Sequence, residues 1–295
     1  MNQISAGLKK EIIFFWRSFR FCGMVLLFLG CALLYPLVSG MTVLMGEALG
    51  INGTELYGAG MQGMPETEMV EALFGVFTPQ FTYVSSLTMI SSAVILMMIL
   101  LTGTAGAEQK KRSIIIPQTA GLTPAGYVMP KFILYPPMVF TLTLISAIIS
   151  NAACHVVFGE SNPTGLVLVT GALYGVSSMF TICLYLFLGV SLAQPGLSVL
   201  YVLAADAVFS LMITVTMNLN SFTPWNLTGM ANNIVYSQVE ELNLLHSYSF
   251  PPYAISEQSI FVTVAITLAL CVIFLLLTLF AMNAKRMDNT ADEVY

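Results

Sequence analysis

Charge is what this 295-residue sequence has least of: its 10 Lys and Arg and 15 Asp and Glu make up 8% of the chain, against about 25% in an ordinary soluble domain. With 57% hydrophobic residues and a mean hydropathy of +0.84, too little polar surface remains to coat a globule, which excludes a water-soluble enzyme. Histidine is scarcer still. His155 and His246 are the only two, so a three-histidine metal centre cannot form within one copy. Glu240 and Glu241 share a segment with His246 but lack the two-histidine helical spacing of zinc proteases. No Gly-rich loop ending in Gly-Lys-Ser/Thr occurs, so the chain does not hydrolyse ATP through that device. Cys22, Cys31, Cys154, Cys183 and Cys271 lie in or at the ends of apolar runs, and no disulfide framework is indicated. Cys154-His155 reads as a packed thiol beside an interfacial imidazole rather than as half of a metal site.

What the sequence does have is apolar runs of membrane-crossing length. No charge falls between Arg20 and Glu47, between Lys131 and Glu160, or between Glu257 and Lys285. Each interval holds one helix across a hydrocarbon core of about 30 Å. Thr78-Pro79-Gln80 interrupts the interval from Glu71 to Glu108, placing a second helix at about 82–104. The interval from Glu160 to Asp206 is too long for one bilayer, and Gln194-Pro195-Gly196 is its natural break. The expected fold is therefore an all-α membrane protein with six transmembrane helices, at about 21–45, 82–104, 132–157, 166–193, 197–217 and 258–282.

Orientation follows from the cations. Lys9, Lys10, Arg17 and Arg20 precede the first span, Lys110, Lys111, Arg112 and Lys131 fall between the second and third, and Lys285 and Arg286 follow the sixth. Six spans put all ten on one face, which the positive-inside rule makes cytoplasmic, with both termini inside and 285–295 as a cytoplasmic tail. The opposite loops carry glutamates and no Lys or Arg.

Residues 1–20 read as a cytoplasmic interfacial helix. Leu8, Ile12, Phe15 and Phe19 recur at helical spacing, Trp16 suits the interface, and the four cations suit phospholipid headgroups. Pro65-Glu66-Thr67-Glu68 opens a short outer helix with Met69, Leu73, Val76 and Phe77 as its apolar stripe. The segment 218–257 is rich in aromatic and amide residues, and such a segment can dip into the outer leaflet if its backbone is helical or covered by protein. Asn52-Gly53-Thr54 and Asn226-Leu227-Thr228 match the glycosylation sequon, a weak signal at this length.

Asp206 is the one acid or base placed mid-span. A carboxylate at that depth costs about 2.5–3.5 kcal/mol on insertion scales, so it needs protonation, a solvated cavity, or hydroxyls and amides on its neighbours. Ser177, Ser178 and Thr181 on the fourth helix and Ser146, Ser150 or Asn151 on the third are the candidates. Gly171 and Gly175 offer a small-residue face for close packing.

The stretch 107–131 between the second and third spans carries the most information. Glu108 is followed by the basic run Lys110-Lys111-Arg112, an apolar stretch, Gly121-Leu122-Thr123 with N-cap chemistry at Thr123-Pro124, then Tyr127 and Lys131. Its mixture of charge, apolar residues and caps suits a short helix held against a partner. In this order of residues, and in its interfacial helix, six spans and long outer segment before the last span, the chain resembles the integral permease subunits of type-2 ABC exporters. Pro117 and Pro130 depart from that family's pattern.

The resemblance implies a permease that works as two copies or with a related subunit, alongside a separate cytoplasmic ABC ATPase. ATP and Mg would be bound by that ATPase, and no cofactor or nucleic acid by this chain. It further implies a multi-pass protein of a bacterial cell membrane. The segment 107–131 would dock on the ATPase through Glu108, Lys110, Lys111, Arg112, Gly121, Leu122, Thr123, Tyr127 and Lys131. Asp206 would stand near the translocation route or the dimer seam, and the cargo would be a hydrophobic compound or a peptide moved outward. A secondary transporter and a non-transporting sensor or immunity subunit are the competing classes. Internal repeats with charged midplane sites would favour the first.

Overall fold

A computed structural model describes residues 3–49, 79–103, 121–216, 222–238 and 257–292. Every regular element among them is helical: α1 Gln3–Arg17, α2 Arg20–Leu49, α3 Pro79–Leu100, α4 Pro124–Phe158, α5 Thr164–Leu192, α6 Pro195–Thr216, α7 Leu227–Tyr236 and α8 Glu257–Asp292. Five segments are long and apolar enough to cross a membrane: Arg20–Met41, Pro79–Leu100, Pro124–Phe158, Thr164–Leu192 and Glu257–Ala284. Within α6 the apolar segment Pro195–Phe209 is shorter. The chain thus has the helical, largely apolar build of a membrane protein.

The helix ends follow local chemistry. Ser18 and Phe19 separate α1 from α2, and Phe19 takes a left-handed φ of 54° that breaks the helical path. Helix α3 is described from Pro79 onward, and at a helix start the missing N–H of Pro costs nothing. Gly159 (φ 75°) caps α4, its N–H donating to the His155 carbonyl, and Asn151 clasps Asn162 across the α4–α5 turn with three hydrogen bonds of 3.0–3.2 Å. Ala193 adopts φ 53° before Pro195 opens α6, so the expected break falls at that place.

Two boundaries differ from the sequence reading. The third long helix begins at Pro124 and runs on through Pro130, Pro136 and Pro137 to Phe158. Its 35 residues would extend about 52 Å at 1.5 Å each, well beyond a hydrocarbon core of about 30 Å. The last helix also continues past the expected end of the sixth span at 282, and the backbone is helical to Asp292.

Helix α5 is the most enclosed of the long helices and α8 the least. α4 packs along α5 at its small residues: a Cβ on Gly171 would lie 3.0 Å from Ala147 Cβ, and one on Gly175 would lie 2.7 Å from the Phe140 ring. The expected close packing on that face is thus directed at α4. The core contains fully buried Tyr83, Tyr135, Tyr174 and Tyr185. Tyr83 meets the Thr170 hydroxyl at 2.9 Å, and Tyr174 donates to Asn232 Oδ1 of α7 at 2.7 Å. α7 packs chiefly on α5. Part of the segment 218–257 is therefore a helix covered by protein, and Asn226 of the second sequon is buried at its start.

Candidate functional site

Two constellations of polar groups stand out, one at the start of α4 and one between α3, α5 and α6. The first is built from α1. Glu11 and Phe15 are the buried residues of that helix, while Ile12 and Phe19 of the expected apolar stripe are exposed. Of that stripe only Phe15 is buried against the rest of the chain, and it is joined there by an acid. Glu11 Oε1 pairs with Lys131 Nζ, and Glu11 Oε2 accepts a 2.8 Å hydrogen bond from the Tyr135 hydroxyl. Lys131 also stands 4.7 Å from the centre of the Tyr127 ring. Both charged side chains are almost fully enclosed, Lys131 at 1% and Glu11 at 8% exposure. Burial of two charges is tolerated because each is paired and further hydrogen-bonded or stacked.

The same two helices meet again at the α4 N-terminus. Thr123 caps α4, its Oγ1 accepting from Gly126 N–H at 3.1 Å. Gln3 supports that cap: its Oε1 accepts from Thr123 N–H at 3.1 Å and from Thr123 Oγ1 at 2.8 Å, and its Nε2 donates to the Gly121 carbonyl at 3.0 Å. Gly121 takes φ 92°, which a side chain would disfavour. The crossing is tight, since a Cβ on Gly7 would lie 2.7 Å from both the Gly126 oxygen and Pro130 Cγ. Pro130 leaves the Gly126 carbonyl without its usual intrahelical donor, and α1 covers that spot.

Of the residues proposed to meet an ATPase, Gly121, Leu122, Thr123, Tyr127 and Lys131 therefore line the beginning of α4. Gly121 and Leu122 are partly or fully exposed, whereas Tyr127 and Lys131 face inward. Lys131 is engaged with Glu11 and so is not a free surface cation. Glu108, Lys110, Lys111 and Arg112 lie outside the described residues, as do the helix expected after Pro65, His246, Glu240 and Glu241. Glu11 went unnoticed in the sequence. The available signal was that it is the single acid among the cations of residues 9–20, while Lys131 is a lone cation beside a long apolar run.

The second constellation is a small cleft that includes Asp206 of α6, Ser91 of α3, and Ser177, Ser178 and Thr181 of α5. Val94, Met98 and Leu203 supply apolar wall. Asp206 is exposed at its rim. The three α5 hydroxyls anticipated as its neighbours line this cleft, but Ser146, Ser150 and Asn151 do not; Asn151 is occupied with Asn162. Cys154 is buried and His155 exposed, so this neighbouring pair does not converge. All five cysteines are free thiols.

Comparison with family models, with curated proteins and with solved structures gave no match to this chain. The functional reading accordingly stands on the residues and their geometry.

Proposed function

We propose that this chain is the membrane-spanning permease subunit of an ATP-driven exporter of the ABC type, in a bacterial cell membrane. In this reading α6 is the fifth of six spans and α8 the sixth, α1 lies along the cytoplasmic face of the bilayer, and both termini are inside. The exposed Ile12, Ile13, Phe14 and Trp16 of α1 suit contact with lipid. A paired permease, as two copies or with a related subunit, would receive a push from a separate ATPase on residues 107–131.

The observation that supports this most is the double attachment of α1 to the first two turns of α4. Gln3 holds the cap and Glu11 holds Lys131, so force delivered just before Thr123 would reach a stiff two-helix unit continuous with a long bundle helix. A loop serving only to anchor topology needs no such bracing. The test is to purify the full chain from its native membranes and assay ATP hydrolysis in the eluate, beside a Glu108→Lys variant. Turnover that accompanies the wild type and falls at least several-fold with the variant is expected. No accompanying ATPase, or turnover indifferent to Glu108→Lys, would sink the docking assignment and favour a secondary transporter.

A further inference from the structure

The packing of α5 against α8 brings two cysteines together. Phe274 of α8 meets two rings of α5: it stacks on Phe187 with centroids 5.5 Å and planes 8° apart, and its centroid lies 5.7 Å from that of Phe180. Cys183 lies between Phe180 and Phe187 in α5, and Cys271 precedes Phe274 by one turn of α8. Both thiols belong to one buried cluster with Phe180, at 3% and 7% exposure, and Trp225 packs against it. They are hydrogen-bonded to each other and not covalently joined. Among the described residues no charged side chain acts on either of them. A buried thiol by itself is inert, because the thiolate through which it reacts is costly in apolar surroundings. Beside a second thiol, a sulfur that gives up its proton still accepts a hydrogen bond. Side chains that already touch across two helices also meet the main geometric demand of a disulfide, which cysteines pointing apart cannot satisfy without backbone movement.

We infer that Cys183 and Cys271 are a redox modification site, joined as a disulfide by a lipid-soluble quinone so that α8 is tied covalently to α5. In that step the two S–H bonds break and one S–S bond forms, while two electrons and two protons pass to the quinone, which leaves as the hydroquinone. The product carries no charge, which suits the apolar shell. Holding a metal ion would instead require both sulfurs as thiolates, a net negative charge even around a monovalent ion. The class of oxidant follows from position. Both cysteines lie within helices long and apolar enough to cross a membrane, where a charged, water-soluble oxidant would have to shed its hydration and a quinone dissolves. The bond would join the least enclosed of the long helices to the most enclosed. The inference concerns the bundle alone and does not rest on the permease reading.

The test uses the full chain in nanodiscs of zwitterionic lipid, with decylubiquinone as the probe and oxidised glutathione as the charged comparison. Thiols are counted by alkylation after denaturation, and the bond is located by mass spectrometry of a digest. Decylubiquinone should lower the count from the five free cysteines to three, link the peptides that carry Cys183 and Cys271, and act about tenfold or more faster than oxidised glutathione. Dithiothreitol should restore all five thiols. Cys183→Ser and Cys271→Ser should each lose none of their remaining thiols under the same treatment. An unchanged count in the wild type, a bond between other cysteines, or equal loss of thiols in the single variants would overturn the site, and equal rates with the two oxidants would overturn the quinone. If the variants do not fold, the location of the bond in the wild type still decides.

Discussion

Lys131 and Glu11, 120 residues apart in the chain, form a buried ion pair that joins α1 to the beginning of α4. Removing one partner leaves the other charge enclosed without compensation. Glu11→Gln or Lys131→Met should therefore lower stability by about 3–5 kcal/mol. The exchange Glu11→Lys with Lys131→Glu should recover part of the loss. Thermal unfolding of the detergent-purified protein measures all three variants, and a Glu11→Gln variant as stable as the wild type would remove the pair from the account.

The crossing at Gly7 makes a second prediction. Gly7→Leu places side-chain atoms where the Gly126 oxygen and Pro130 already are, so α1 must lift from α4. Cysteines introduced by Gln3→Cys and Thr123→Cys, whose native side chains are in contact, should cross-link readily in the otherwise unchanged protein and at least several-fold less after Gly7→Leu. Undiminished cross-linking would mean that the helices accommodate the bulk.

How much of this was legible beforehand differs from feature to feature. The charge-free intervals gave the positions of the long helices, and Gln194-Pro195-Gly196 gave the break before α6, because both signals are local. The Thr123 cap was legible for the same reason. The merger of 124–131 with the third long helix was not, since Pro130 reads as a break. Its freed carbonyl is covered by Gly7 of α1, and a contact between residues so distant in sequence leaves no local mark. The pairing of Glu11 with Lys131 was hidden likewise. For Asp206 the residue type pointed to α5 hydroxyls, but choosing between α4 and α5 required the rotation of each helix.

The small-residue face of α5 predicts a packing defect on substitution. Gly175→Leu would drive its side chain into the Phe140 ring, already 2.7 Å from a Cβ at that position. Overpacking of this kind costs about 1–3 kcal/mol. The accompanying change Phe140→Ala should restore part of the stability, which a melting series on the single and double variants would reveal. Additive losses would place the clash elsewhere.

Whether α6 crosses the bilayer is decided by labelling. In a background lacking the native cysteines, Gln194→Cys and Thr223→Cys flank α6 at its two ends. A membrane-impermeant maleimide applied to intact cells should label the Thr223→Cys protein and leave Gln194→Cys untouched until the membrane is opened. Labelling of both from the same side would reduce the count to five spans.

The bracing of α4 by α1 also sets a problem of timing. A ribosome adds about 5–20 residues per second, so the 120 residues that separate Glu11 from Lys131 take on the order of ten seconds to make. Throughout that interval α1 has neither the cation nor the cap that it will later hold. Its acid must find other partners in the meantime, and the settling of α1 becomes a late event for a segment synthesised well before its partner.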